Sequence, residues 1–578
     1  MNPSTAVILM FDTSYAIRTG LLTILIPVTL AALVLGSRYH LHMLQLSSYQ
    51  FQGYFRFLKS HLRLTVCHAA GTLLVLTAIL LSTLPGDAKA VAVMLTIAAS
   101  VMNAVSFMLF WPRPSKKKFV MTSRMWRLVG FLAILCALTV ILTAVAWGLQ
   151  PAGILFSLLF DLAFLPLAVA LANLMAQPVE KAVRQWYIND ARRMLAEHPG
   201  LRIIGITGSY GKTSVKHYLT TMLSERYSVL MTPGSFNTPM GVVRTIREQL
   251  RPTHDIFVCE MGARHVGDIK EICDIVNPHD GVLTAIGDQH LETFHTRENI
   301  IRTKYELLDA VGETTGSFGA AFDAHPGSLR FVNGDDEILR THRKYPDEVT
   351  YGLSNDNAYS GEILSVGIAG TTFRVTFPES ANQEEEGNET AAGSAEFTIP
   401  LVGKHNVVNA IGAIAVAHML GVPMAKLKMA ARRLQPAEHR LQIRKTPYGA
   451  ILDDAYNANP AGAQAALEAM DAIAADSGDT GGRMLRILVT PGMVELGERQ
   501  EEYNTAFGKQ AAKLCDYILP VGKTNSGAIR NGALQAGFAE NRILLCTGLT
   551  EAMTRMAALE PGKPRVVLLE NDLPDDYG

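Results

Sequence analysis

Residues 205–214 read GITGSYGKTS, a glycine-rich turn ending in Gly-Lys-Thr after the apolar run LRIIGITG (201–208). A run of that kind suits a buried parallel strand, and the turn would open a helix from about Ser214. Backbone N–H groups at a helix start, a lysine and a hydroxyl are the groups that cradle nucleotide phosphates and hold Mg²⁺. The stretch is shorter than a full G-x-x-x-x-G-K-[ST] loop, because Ile206 stands where the first glycine would be. The cradle is therefore read as Thr207, Gly208, Ser209, Tyr210, Gly211, Lys212, Thr213 and Ser214, with Lys212 reaching the β/γ-phosphates and Thr213 facing the metal.

Strand-like runs recur at IFVCEMGA (256–263) and GVLTAIG (281–287) with helical patterns between, the alternation of a parallel α/β domain. A second α/β series begins near residue 441 with AILDDAYN, RILVTPGM, YILPVG, RILLCTG and RVVLLEN. The acidic stretch ESANQEEEGNETAAGSAE (379–396) reads as a surface loop.

The region before the cradle is of another kind. The chain has 578 residues, 48% hydrophobic, and the apolar excess lies before residue 177. Stretches 19–36, 64–84, 90–111, 128–149 and 153–176 each approach the ~20 apolar residues that span a bilayer core. The loops 37–63 and 112–127 carry only basic charges, while 85–89 and 150–152 are short and nearly neutral. Positive loops stay in the cytoplasm, so five transmembrane helices would leave the N-terminus outside and the cradle inside, beside ATP. Residues 47–63 mix aromatics with cations, as a helix on the inner leaflet would. Asp161, within the fifth stretch, reads as a hydrogen-bond partner for a neighbouring helix or as a functional acid. The net charge of -1 gives no field for nucleic acid. The six cysteines show no CxxC spacing, hence neither a zinc site nor a disulfide framework.

TGSYGKTS after an apolar strand resembles the ATP site of the Mur ligase family, which builds the peptide stem of bacterial cell-wall precursors. Further fragments follow in the family's order: SFNTPMGV (235–242), CEMGARHVGDI (259–269), IGDQHLETF (286–294), RTKYELL (302–308), FVNGDD (331–336), GKHNVVNAIGAIAVA (403–417), EHRLQI (438–443) and ILDDAYNANP (451–460). TGSYGKTSVK, HNVVNA, DDAYNANP and MVELG (493–497) are similar to the MurF-like, D-alanyl-D-alanine-adding branch. The resemblance covers roughly residues 200–560.

It implies an ATP-dependent peptide ligase of peptidoglycan synthesis. Glu260, His290 and Thr213 would be magnesium ligands, joined by Lys304 once that lysine is carbamylated. Asn406 and Asn409 would contact the adenine. Arg440, Asp454 and Tyr456 would close over the nucleotide from the C-terminal domain. An acceptor carboxylate would attack the γ-phosphate of ATP, and an amine would then attack the acyl-phosphate. Lys212, Lys304, His290 and Glu260 are the expected catalytic set.

The expected architecture is an α-helical transmembrane bundle followed by two α/β domains. The limits are 1–177 for the membrane domain, 178–199 for a connecting helix, 200–440 for the central ATP-binding domain and 441–578 for the C-terminal, Rossmann-like domain. The expected site of action is the cytoplasmic membrane. Three departures stand out: the family's uridine-nucleotide-binding domain is replaced by apolar stretches, the usual K-G-S-R is replaced by acids in VVLLENDLPDDYG (566–578), and Asn504 stands where histidine is usual. The acceptor is thus open between a soluble muropeptide and a lipid-linked precursor, and the amine between D-alanyl-D-alanine and another amino acid or amine. A catalytically inactive nucleotide-sensing membrane scaffold is the alternative from another class. It would need a lost metal ligand or cradle lysine, and none is lost.

Overall fold

The computed structural model describes residues 26–60, 77, 118–147, 151–287, 291–312, 327–378, 393–436, 441–455, 460–475, 483–494, 496 and 499–571. The chain divides into two compact units, Met1–Gln185 and Trp186–Gly578.

The described part of the first unit is helical. Helix α1 covers 26–46 and is followed by α2 (Phe51–Ser60), α3 (Ser123–Trp147) and α4 (Pro151–Ala163), then by α5 (Leu165–Ala196), which runs on into the second unit. Leu41, Leu44, Tyr54, Leu128, Leu162 and Val169 pack these helices together. Among the described residues, α3 is long and apolar enough to cross a membrane, and α4 with α5 would make a second such span bent by 77°. Of the five expected transmembrane stretches, these are the fourth and the fifth. The fourth is one helix, whereas the fifth breaks at Phe164 because Pro166 has no N–H and its ring disfavours helix across the preceding turn. The second and third stretches, and residues 19–25 of the first, lie outside the described residues.

Asp161 spans two helices: its carboxylate accepts from the Thr139 hydroxyl at 2.9 and 3.0 Å. One turn away, Thr143 and Ser157 hydroxyls meet at 2.5 Å. These contacts tie α3 to α4, as polar side chains do between helices in apolar surroundings.

The second unit holds two sheets. The first has the strand order β2-β3-β1-β4-β5-β6-β7-β8-β9, with β1 Arg202–Thr207, β2 Val229–Met231, β3 Ile256–Glu260, β4 Asp280–Leu283, β5 Arg330–Asn333, β6 Glu348–Gly352, β7 Tyr359–Gly367, β8 Gly370–Thr376 and β9 Ser394–Ile399. It is parallel as far as β7 and antiparallel beyond. Strand β1 is buried along its whole length, as a run of Ile flanked by helices on both faces requires. The order of crossovers reverses beside β1, which opens a crevice at its carboxyl end. Helices α6 (Lys212–Leu223), α7 (Pro239–Gln249), α8 (Asp268–Val276), α9 (Arg297–Ala310) and α10 (Lys404–Met419) cover the sheet.

The second sheet has the order β10-β11-β14-β12-β13, with β10 Gln442–Thr446, β11 Gly449–Asp454, β12 Leu485–Thr490, β13 Tyr517–Pro520 and β14 Arg565–Glu570. RILLCTG is not a full strand: it forms isolated bridges from Ile543 to Ile518 of β13 and from Cys546 to Val521 just after it. Most of the acidic stretch (379–392) lies outside the described residues.

Candidate active site

At the end of β1, between β3 and β4, the chain turns through the glycine loop into α6. Gly208 and Gly211 adopt φ of 154° and 82°. A Cβ on Gly208 would lie 2.1 Å from Thr284 Oγ1, and one on Gly211 would lie 2.8 Å from Asn409 Oδ1. The two glycines thus let the loop pass between the segment after β4 and the helix α10. That segment straps the loop down: Ser209 N donates to Ala285 O at 2.6 Å and Ser209 Oγ to Gly287 O at 3.1 Å. The Thr284 hydroxyl donates to Tyr210 O, and Thr207 Oγ1 donates to Met261 O at 2.8 Å.

FVNGDD supports the strap. Asn333 Nδ2 donates to Thr284 O at 2.8 Å, and Asp336 Oδ2 accepts from Ile286 N at 2.9 Å. His290 follows the strap in sequence and lies outside the described residues, as do Arg440 and Tyr456.

Helix α6 begins at Lys212, two residues before the sequence expectation. Lys212 Nζ donates to Gly208 O at 2.7 Å and Ser209 O at 3.0 Å, so the ammonium sits over the loop itself. Ser214 is buried. Thr213 Oγ1 donates to Glu260 Oε1 at 3.2 Å. The same oxygen accepts from Asn237 Nδ2 at 3.0 Å, which ties the SFNTPMGV loop to the strand end.

Glu260 Oε2 faces the ammonium of Lys216 at 2.9 Å, and Lys216 Nζ also donates to Gly234 O at 2.7 Å. Burial would push the Glu260 carboxyl up, but the charge of Lys216 and the bonds from Lys216 and Asn237 outweigh it and hold Glu260 below its ordinary value. Lys216 is the residue that sequence reasoning missed. One turn beyond Lys212 it reads as a solvated helix lysine, yet a spacing of four on a helix puts it on the face that Lys212 already commits to the site.

Lys304, on α9, is 3% exposed. Burial, and then the charge on Lys212, lower its pKa to about 7. Among the described residues it makes no hydrogen bond or ion pair. A lysine in that state is partly neutral near pH 7, and neutral amines are the form that combines with CO₂.

Thr213 and Glu260 present adjacent oxygen donors, the donor type Mg²⁺ takes. Among the described residues no three His, Cys, Asp or Glu side chains converge to form a metal cluster by themselves. The residues present fit Mg²⁺ as a partial set, which a carbamylated Lys304 would extend.

The two asparagines of α10 divide their work. Asn406 is buried, accepting from Tyr218 OH at 2.9 Å and donating to Val402 O at 2.8 Å, so its amide holds α10 against α6. Asn409 meets the cradle at Gly211. Of the two, Asn409 is the one placed at the crevice.

At the carboxyl ends of β11 and β14, Asp454 pairs in register with Glu570. Asp454 Oδ1 accepts from Leu441 N at 3.0 Å. Glu570 is 1% exposed, and among the described residues its carboxyl meets the carboxyl of Asp454 and no other hydrogen-bond donor. Burial and the adjacent Asp454 raise the Glu570 carboxyl well above its ordinary value. Asn504 accepts from Met493 N at 2.8 Å and donates to Met493 O and Gln500 O, anchoring the loop that opens MVELG.

Models of two domains, the Mur ligase middle domain and the Mur ligase glutamate ligase domain, match residues 206–417 and 439–570. The UDP-N-acetylmuramoyl-tripeptide–D-alanyl-D-alanine ligase of Bacillus subtilis is 30% identical over 346 residues, covering 60% of this chain and 67% of that enzyme. The chain belongs to the Mur ligase family. As a Mur ligase it carries the paired domains of ATP-dependent ligases, and the cradle, Glu260 and Lys304 all fall within the middle domain. The enzyme of the same name from Mycobacterium tuberculosis is 33% identical, covering 59% of this chain and 63% of that one. The chain thus spans about two thirds of the length of these relatives. MurF from Acinetobacter baumannii superposes with a TM-score of 0.54 at 25% identity, over 67% of this chain and 77% of that one. Residues 1–205 fall outside both domain models.

Proposed function

We propose that this Mur ligase activates the carboxylate of a muramoyl-peptide acceptor with ATP and joins it to an amine, D-alanyl-D-alanine or a close analogue, in peptidoglycan precursor synthesis. The observation that carries the reading is the convergence of Lys212, Thr213, Glu260 and Lys304 at one strand-end crevice. Thr213 and Glu260 would hold Mg²⁺, with His290 and carbamylated Lys304 completing the set. The metal supplies charge neutralisation for phosphoryl transfer. Lys212 places a fixed positive charge where the γ-phosphate would sit, and Asn409 lines the approach of the nucleotide to the cradle. Arg440, Asp454 and Tyr456 would close the crevice and exclude water from the acyl-phosphate. The ligase domains are taken as 200–440 and 441–578, with 178–199 connecting them to the membrane domain 1–177.

A membrane location is supported by α3, whose Ile134, Leu142 and Val145 are 58%, 60% and 82% exposed. So large an apolar face is a liability in water and ordinary in lipid. That observation favours a second reading for the acceptor, a lipid-linked muropeptide at the inner leaflet.

The test is ADP release by the detergent-purified full chain with ATP, Mg²⁺ and D-alanyl-D-alanine, offered UDP-muramoyl-tripeptide or a lipid-linked equivalent. Lys212→Ala is expected to lower turnover by about 10²–10³-fold. Turnover with either acceptor supports the ligase reading, and turnover confined to the lipid-linked one supports the second. Absence of turnover across a panel of amines and both acceptors would sink the proposal.

A further inference from the structure

The two oxygens of Glu260 have different company. Oε2 faces the Lys216 ammonium at 2.9 Å, while Oε1 takes Asn237 Nδ2 at 3.0 Å and the Thr213 hydroxyl at 3.2 Å. Lys216 has no room to step aside: its side chain is 0% exposed and Nζ is bonded a second time to Gly234 O at 2.7 Å. Oε2 is therefore held by charge against a buried ammonium rather than by a directed hydrogen bond, and only Oε1 stands beside Thr213.

This asymmetry bears on which cation can be held. Mg²⁺ demands a compact octahedron, keeps several waters and takes one oxygen from a carboxylate, whereas the larger Ca²⁺ readily takes both oxygens of one carboxylate. We propose that Lys216 is a positioning residue that sets metal selectivity: by holding Oε2 it limits Glu260 to one-oxygen coordination and so favours Mg²⁺ and Mn²⁺ over Ca²⁺. The inference rests on the reading of Thr213 and Glu260 as metal donors.

Mn²⁺ binding to the full chain with ADP, followed by electron paramagnetic resonance and displaced by Mg²⁺ or Ca²⁺, tests it without turnover. Lys216→Met is expected to shift the Ca²⁺/Mg²⁺ displacement ratio by about tenfold toward Ca²⁺, while Lys216→Arg stays near wild type. An unchanged ratio in a Lys216→Met protein that still binds Mn²⁺ overturns the proposal. If that variant does not fold, wild type decides alone: infrared difference spectra against Glu260→Gln read the carboxylate stretching frequencies with Ca²⁺ bound. A one-oxygen signature is expected, and a two-oxygen signature overturns the idea. Mn²⁺ binding by Glu260→Gln equal to wild type would instead overturn the metal-donor reading beneath it.

Discussion

Glu260 and Glu570 hold matching places in the two sheets of the ligase unit, each the last residue of a buried parallel strand. Glu260 is met by an ammonium, an amide and a hydroxyl, and stays below its ordinary value. Glu570 meets the Asp454 carboxyl, finds no other donor among the described residues, and is raised well above its ordinary value. The strand end supplies burial in both cases. The direction of the shift is decided by what the neighbouring elements send toward the strand end, an ammonium in one case and a second carboxyl in the other.

The strongest way to break this contrast is to remove the partner. Glu260→Ala leaves Lys216 buried and uncompensated, and is expected to cost about 3–5 kcal/mol in urea unfolding. Adding Lys216→Met to it should recover much of that loss, so the double variant falls short of the sum of the singles. A strictly additive pair would mean that the two side chains do not depend on each other.

Lys304 extends the contrast to a buried base. Wild-type turnover should climb as pH rises through about 7, where the amine loses its proton and becomes open to CO₂. Lys304→Ala should lose about 10²-fold or more in turnover. A carbamate carbon signal in ¹³C-bicarbonate, present in wild type and absent in the variant, checks the cause.

Smaller effects are expected in the pH dependence of stability. The depressed Glu260 contributes stability above its ordinary value of 4.5, and this is lost as pH falls through its lower folded value. The raised Glu570 has the opposite slope: its contribution is complete below 4.5 and drains away as pH rises toward its folded value. Glu570→Gln should therefore raise stability by about 1–3 kcal/mol at pH 8 and by little at pH 4. Equal gains at both pH values would count against a raised Glu570 carboxyl. At the low end, Tyr218→Phe removes one bond to Asn406 and should cost about 1 kcal/mol, read as a shift in thermal midpoint.

The sequence carried the nucleotide side of the fold well. An apolar strand, a glycine turn and a lysine leave few ways to fold, and β1, the loop and α6 follow them. Lys216 escaped notice because a lysine on a helix carries no mark of burial, and only the carbonyl of Gly234 and the carboxylate of Glu260, both remote in the chain, reveal it. Asn406 was legible as part of a motif but not as a core residue, since its partner Tyr218 lies 188 positions away. The break at Phe164 had its signal in Pro166, overridden by the continuous apolar run around it. RILLCTG is apolar like a strand yet meets its neighbour at two isolated bridges, to Ile518 of β13 and to Val521 just after it.

The Tyr218–Asn406 bond has a consequence for the order of events during synthesis. The helix behind the phosphate loop is made early, but the residue that fixes its buried face emerges 188 positions later. At roughly 5–20 residues per second on the ribosome, that is a wait of about 10–40 s. Throughout it the loop has its sequence but not its backing, so a truncated chain ending before α10 would carry the whole GITGSYGKTS segment and still bind nucleotide poorly.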